Sequence, residues 1–235
     1  MSLPRFLPAG DAALTVEFGN RIALPLNRKV RALALAMEKA ALPGVIEVVP
    51  TYRSLTIYYD PLSLSLTDLR LKVESLLERL EEIPLPPSRL VTIPTVYGGE
   101  YGPDLAFVAQ HCGLTEEAVI RLHTRPTYHV YMLGFTAGYA YLGGMPKRLT
   151  TPRLSSPRLR VPAGSVGIGG SQTGVYPVES PGGWRLIGRT PLTLFDPSWE
   201  VPVLIQPGDQ VKFVRIAPDE FEARRERTRP GESDG

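Results

Sequence analysis

Groups able to handle a small ligand are densest between Val161 and Thr190, VPAGSVGIGGSQTGVYPVESPGGWRLIGRT, which holds eight of the chain's 22 glycines. Glycine loses more backbone freedom on ordering than any other residue, so such a run needs positive φ angles or the close approach of a ligand or another backbone segment. Ser165, Gln172 and Thr173 set hydroxyls and an amide among the glycines, and Tyr176 and Trp184 add two aromatic rings. Such a surface suits something flat, polar and small. Backbone at Gly164, Gly167, Gly169, Gly170, Gly174, Gly182 and Gly183, with Gly143 upstream, would line it. The same Gly/Ser/Pro punctuation is also that of tight β-hairpins. Phosphate loops match poorly: Gly167-Ile168-Gly169 opens a G-x-G-x-x-G pattern, but its third position is Gln172, and Pro177 and Pro181 oppose the helix that must follow.

Anion recognition has candidates nearby. Lys147, Arg148, Arg153, Arg158 and Arg160 cluster before the run and Arg189 sits at its end. Arginine forks match carboxylate and phosphate oxygens, although a solvated loop accounts for such a cluster equally well. The three histidines, His111, His123 and His129, stand in no H-E-x-x-H or C-x-x-C pattern, so no metal site is expected. His129 alternates along a predicted strand and reads as a neutral proton shuttle or a satisfied core residue. Cys112, beside Gly113 at a predicted helix end, reads as structural. Glu100, Asp104, Glu179 and Asp196 show no spacing that identifies a general acid and base, so the catalytic residues stay unassigned.

Composition sets the bounds. Hydrophobic residues make up 43% of the 235, enough for a sizeable core, and charged residues make up 21% with a net charge of +2. No global field directs the chain to nucleic acid or membrane. One cysteine excludes an intrachain disulfide, and the 24 prolines, about twice the usual frequency, favour short elements and stiff loops. No secretory pattern and no apolar run of about 18 residues is present, so the expectation is a soluble, cytoplasmic protein.

The elements that would hold these residues fall into two regions. Ala12 to Phe18 has strand alternation, Leu26 to Ala41 a helical apolar stripe, and Val45 to Val49 and Ser54 to Tyr59 read as paired strands. Ser65 and Asp68 have capping-box spacing before a second stripe from Leu66 to Leu80. With Leu90 to Thr95 as a last strand, this is a ferredoxin-like β-α-β-β-α-β unit. The prolines of Ile83 to Ser88 place a boundary near residue 90, giving an α/β domain over 1–89. Two short helices follow, from Pro103 and from Thr115. Then short strands at Tyr128–Phe135, Leu159–Pro162, Gly174–Val178, Trp184–Gly188, Leu192–Phe195 and Gln210–Val214 predict a closed barrel or sandwich over 90–216. The charged segment 217–235 reads as a solvated helical end running into a disordered tail.

Several phrases together resemble one family: GDAALTVEFG (10–19), YRSLTIYYDP (52–61), YGGEYGPDL (97–105), GFTAGYAYLGGMP (134–146) and PRLRVPAGSVGIGGSQTGVYPVESPGGWRLIGRTPLTLFDP (157–197). They are similar to the family that includes KipI, allophanate hydrolase subunit 1 and the B subunit of 5-oxoprolinase. The resemblance implies an α+β chain, a small ferredoxin-like domain followed by a cyclophilin-like β-barrel. It implies two partners, a KipA-type protein as the C subunit and a LamB/YcsF-type protein as the A subunit. Their complex would cleave 5-oxoproline to glutamate at the expense of ATP. Relatives serve as the carboxyltransferase part of urea carboxylase, and one inhibits a histidine kinase; on that second reading Tyr139, Tyr141, Tyr176 and Trp184 would anchor an interface. For a substrate site the resemblance and residue types nominate Ser165, Gln172, Thr173, Arg153 and Arg189, with Tyr141, Tyr176 and Trp184. The family pattern is close to GFxPGFPYLGG, and this chain departs from it with Ala137, Tyr139 and Ala140.

Overall fold

The structure, a computed structural model, describes residues 4–227 and comprises a unit ending at Pro87 and a unit beginning at Ser88. In the first, β1 (Arg5–Pro8) and β2 (Ala13–Glu17) form a hairpin, followed by α1 (Leu24–Ala40), a hairpin of β3 (Val45–Pro50) and β4 (Ser54–Tyr59), and α2 (Leu66–Glu78). The helices form where the apolar period is 3.6: Val30, Leu33 and Met37 on α1 and Leu69 and Val73 on α2 pack with Leu14, Val16, Leu55 and Ile57 from the strands, none more than 2% exposed. Ser65 caps α2, its Oγ accepting the Asp68 N–H at 3.1 Å, and it is the Ser65 hydroxyl, in place of the backbone N–H of a full capping box, that donates back to Asp68 Oδ2 at 2.7 Å.

The sheet order is β1-β2-β4-β3, with every pair antiparallel. The segment expected as its last strand, Leu90 to Thr95, belongs instead to the sheet of the second unit. The edge position beside β2 is filled from upstream by β1, antiparallel to β2. The ferredoxin-like order therefore survives with a different strand in one slot. Alternation shows that a segment is extended; it does not show which edge accepts it.

The second unit runs β5 (Leu90–Tyr97), α3 (Leu105–Cys112), α4 (Glu116–Thr124), β6 (Tyr128–Leu133), β7 (Ala140–Gly143), β8 (Arg158–Val161), β9 (Ser165–Gly169), β10 (Gln172–Val175), β11 (Ser180–Gly182), β12 (Arg185–Arg189), β13 (Gln210–Arg215) and α5 (Pro218–Arg227). Seven strands form one sheet, β10-β9-β12-β5-β13-β6-β7, whose edges β10 and β7 lie against each other, so it is a nearly closed barrel. A separate ribbon pairs β8 with β11. Ile93, Val130, Val166, Ile168 and Phe213 are wholly buried in the barrel core, joined by Val108 of α3 and Val119 of α4. Pro94, which has no N–H to give, sits where β5 pairs only with β13, before the β12 pairing begins at Val96.

Three expectations change. β9, within the glycine run, is a strand with every residue buried, although its Gly/Ser composition reads as turn. Leu192 to Phe195 contributes only one bridge, Phe195 to Val203. The charged end is not merely solvated: α5 turns Phe221, 2% exposed, onto Val96, Ile216 and Tyr101, because one aromatic in a charged helix is enough to dock it. Residues 228–235, the remainder of the expected disordered tail, lie outside the described residues.

Candidate functional site

The glycine run supports rings of its own chain. A Cβ on Gly169 would stand 2.5 Å from the Trp184 indole nitrogen, one on Gly174 3.0 Å from the Tyr139 hydroxyl, and one on Gly182 2.5 Å from the Tyr176 hydroxyl. Upstream, Gly143 lies equally close under the Tyr131 ring. Gly164 has φ +81° and faces the Thr190 carbonyl, and Gly170 has φ +63° at the turn between β9 and β10. The glycines are therefore spent on seating side chains and on turns.

Above this floor the rings meet edge to face, an arrangement that sets the positive rim of one against the negative face of the next. Tyr139 is the hub, with centroids 5.4 Å from Phe135, 5.5 Å from Tyr141, 5.7 Å from Tyr176 and 6.0 Å from Trp184. Together with Arg153, Leu154, Pro157, Gln172, Pro181, Gly182 and Gly183 they line a cavity of about 390 Å³. That is within the roughly 300–1,000 Å³ of small-molecule sites. The Arg153 guanidinium lies 5.9 Å from the Trp184 ring and has no carboxylate partner among the described residues. Burial raises the Tyr176 phenol pKa, and the Arg153 and Arg158 charges pull it partly back. The walls are thus aromatic, with one cation and one amide at the mouth. They suit a small, flat, anionic molecule.

The residues nominated from sequence do not all converge there. Gln172, Arg153, Tyr141, Tyr176, Trp184, Gly182 and Gly183 line the cavity. Ser165 and Thr173, 2% and 1% exposed, do not. Side chains alternate along a strand, so Gln172 and Thr173 leave β10 on opposite faces. Arg189 is also elsewhere: its Nε donates to the Ala163 carbonyl at 2.9 Å. Its pKa is lowered first by burial and then by Arg225. Phe135, Leu154, Pro157 and Pro181 were not nominated. Phe135 reads in sequence as the end of a strand, and only its flanking glycines, Gly134 and Gly138, hint at a turn.

Thr173 belongs to a closed network. Its hydroxyl donates to the Gly167 carbonyl at 2.9 Å, so its oxygen accepts the His123 Nε2–H at 2.8 Å, which leaves Nδ1 to accept from the Tyr97 hydroxyl at 2.8 Å. His123 is fully buried, and burial pushes its pKa down to about 3, so it is neutral. A second brace holds Trp184. Asp104 Oδ2 accepts the Leu186 N–H at 2.7 Å and Oδ1 accepts Arg158 Nη2 at 3.0 Å, while Arg158 Nη1 donates to the Trp184 carbonyl at 3.4 Å. Cys112 Sγ contacts Thr151 Oγ1 at 3.5 Å, and His111 stacks on Phe107. Among the described residues no three His, Cys, Asp or Glu side chains gather as for a metal, and no helix is long and apolar enough to cross a membrane.

Residues 4–205 match the family model of the carboxyltransferase domain, subdomain C and D. The B subunit of 5-oxoprolinase from Bacillus subtilis is 46% identical over 227 residues, covering 92% of this chain and 95% of that protein. A solved chain 41% identical to this one superposes with a TM-score of 0.76, over 87% of this chain and 40% of its own length. The Kluyveromyces lactis urea amidolyase, 22% identical, contains the same fold with a TM-score of 0.76, over 96% of this chain and 15% of its own.

Proposed function

This chain belongs to the carboxyltransferase subdomain C and D family, and from that premise we propose that it is the B subunit of a cytoplasmic, ATP-dependent 5-oxoprolinase. Its partners on this reading are a KipA-type C subunit and a LamB/YcsF-type A subunit. The observation that carries the reading is the Arg153 guanidinium, without a carboxylate partner among the described residues, at the mouth of a cavity walled by Tyr139, Tyr176 and Trp184. The near full-length similarity to the B subunit of a 5-oxoprolinase supports it.

The proposed substrate is a five-membered lactam bearing one carboxylate. On this reading the ring lies among the aromatic rings, its carboxylate meets Arg153, and its amide meets Gln172. Opening it breaks the amide C–N bond and adds one water. A lactam is an unreactive amide, so this needs activation, supplied by the conversion of ATP to ADP and phosphate. The glycine run is a poor match to a triphosphate, because Gly167, Gly169 and Gly174 are paired in β9 and β10 and Gly169, Gly174 and Gly182 lie under aromatic rings. On this reading the nucleotide binds elsewhere in the complex. The cavity lining holds no carboxylate, imidazole or thiol. A neighbouring polypeptide must bring the remaining groups. Occurrence of the fold inside longer chains supports such an arrangement.

The test is reconstitution with both partners and measurement of 5-oxoproline-dependent ADP release, omitting each protein in turn. Arg153→Ala is expected to lower kcat/KM about 100-fold, the scale of one lost charge-assisted contact, and Gln172→Ala about tenfold. Arg189→Ala, remote from the cavity lining, should stay within about twofold. Equal losses at Arg153 and Arg189, or activity without this chain, would remove the proposal.

A further inference from the structure

One residue at the cavity mouth is held in a conformation that its own side chain opposes. Phe135 has φ +65°, a left-handed backbone rare outside glycine. The Thr136 N–H donates to the Gly134 carbonyl at 2.8 Å, closing a three-residue turn around it, and the Tyr139 carbonyl accepts the Gly134 N–H at 3.1 Å at the loop's base. The strain has no compensation in burial, since the ring is 67% exposed and touches the hub ring of Tyr139 edge on. Glycine would satisfy the backbone here, as it does at Gly138 with φ +75°. Strain kept beside a cavity, on an exposed aromatic that lines it, is what a ligand clamp leaves in the structure.

We propose that Phe135 is the specificity-determining residue of this cavity. It closes against one face of a small ring carrying a single carboxylate, while Arg153 takes the charge. The proposal deepens the 5-oxoprolinase reading and rests on it for the choice of ligand. Phe135 and the Tyr139 ring that it meets edge on at 5.4 Å form one wall of the cavity, so a six-membered lactam carboxylate, bulkier by one methylene, should bind less well than the five-membered one.

The test titrates 5-oxoproline into the full chain, followed by indole fluorescence, Trp184 being one of two tryptophans, for wild type, Phe135→Gly, Phe135→Ala and Phe135→Tyr. Saturable binding by wild type is expected, weakened about tenfold in Phe135→Gly and restored in Phe135→Tyr, the scale of one aromatic contact. Melting separates clamp from scaffold: Phe135→Gly should melt at or above Phe135→Ala, since both lose the ring and only glycine relaxes the turn. No saturable binding by wild type, equal binding by wild type and Phe135→Gly, or a clearly more stable Phe135→Ala overturns the proposal. Phe135-dependent binding without turnover in the reconstituted complex would remove only the 5-oxoprolinase reading. Turnover and KM untouched by Phe135→Gly would remove only the clamp.

Discussion

Gln172 and Thr173 are neighbours on β10, yet they belong to two different kinds of site. The Gln172 side faces an aromatic cavity with an arginine that has no carboxylate partner among the described residues. Across the same strand, Thr173 is a link in a chain of hydrogen bonds running from Tyr97 through His123 to the Gly167 carbonyl. Both are small polar residues in a glycine-rich run, and both look equally suited to bind a ligand. What separates them is the side of the strand each takes: Thr173 is enclosed in the core with His123, and Gln172 lines the cavity. A polar residue whose bonds are closed within the core reports structure, and one set on a cavity wall can report function.

Acid is the strongest way to set the two faces apart. Because burial holds the His123 pKa near 3 in the folded state, against 6.5 ordinarily, the unfolded chain takes up a proton that the folded chain refuses as pH falls below 6.5. The His123 contribution is complete above that value and declines by about 1.4 kcal/mol per pH unit down to about 3. Between pH 6.5 and 5 this is a loss of about 2 kcal/mol. That window lies above the range where carboxylates with lowered pKa, such as Glu17 and Asp60, begin to act. Urea unfolding of wild type against His123→Gln measures it; an unchanged slope would mean that the imidazole is not buried neutral.

A smaller effect is expected at the floor. Gly169→Ala drives a methyl into the Trp184 indole and should cost about 1–3 kcal/mol, with a change in indole emission, whereas Gly183→Ala, with its nearest neighbour 3.7 Å away, should be nearly silent. The two faces of β10 draw the comparison most finely. Thr173→Val leaves the His123 N–H without an acceptor and should cost about 1–3 kcal/mol, while Gln172→Ala, on the cavity face, should fall within about 0.5 kcal/mol. Thermal unfolding of the pair decides it; equal losses would mean that the two faces are not distinct.

Much of this was legible in the chain. The helical stripes of α1 and α2, the Ser65 cap on Asp68 and the cap on α4, where Thr115 Oγ1 accepts the Ala118 N–H at 3.2 Å, depend on neighbours within one or two turns, so their spacing alone predicts them. Arg153, Tyr141, Tyr176 and Trp184 stand out by residue type before any geometry. The glycine run is legible only in part: its composition marks close approach, but not whether the approaching atoms belong to a ligand or to Trp184. Phe135 escaped notice because φ is a property of the folded turn, and its residue type favours a strand.

By itself the sequence determined the local elements and the chemistry of the side chains on offer, because periodicity, capping and composition act over short stretches of chain. Only the tertiary structure decided that β5 pairs with β13, Leu90 opposite Gln210, that Arg153 and not Arg189 reaches the cavity, and that Thr173 turns inward to His123. Those outcomes depend on which distant segments meet across the barrel, and pairing between remote strands leaves no periodic trace in either one.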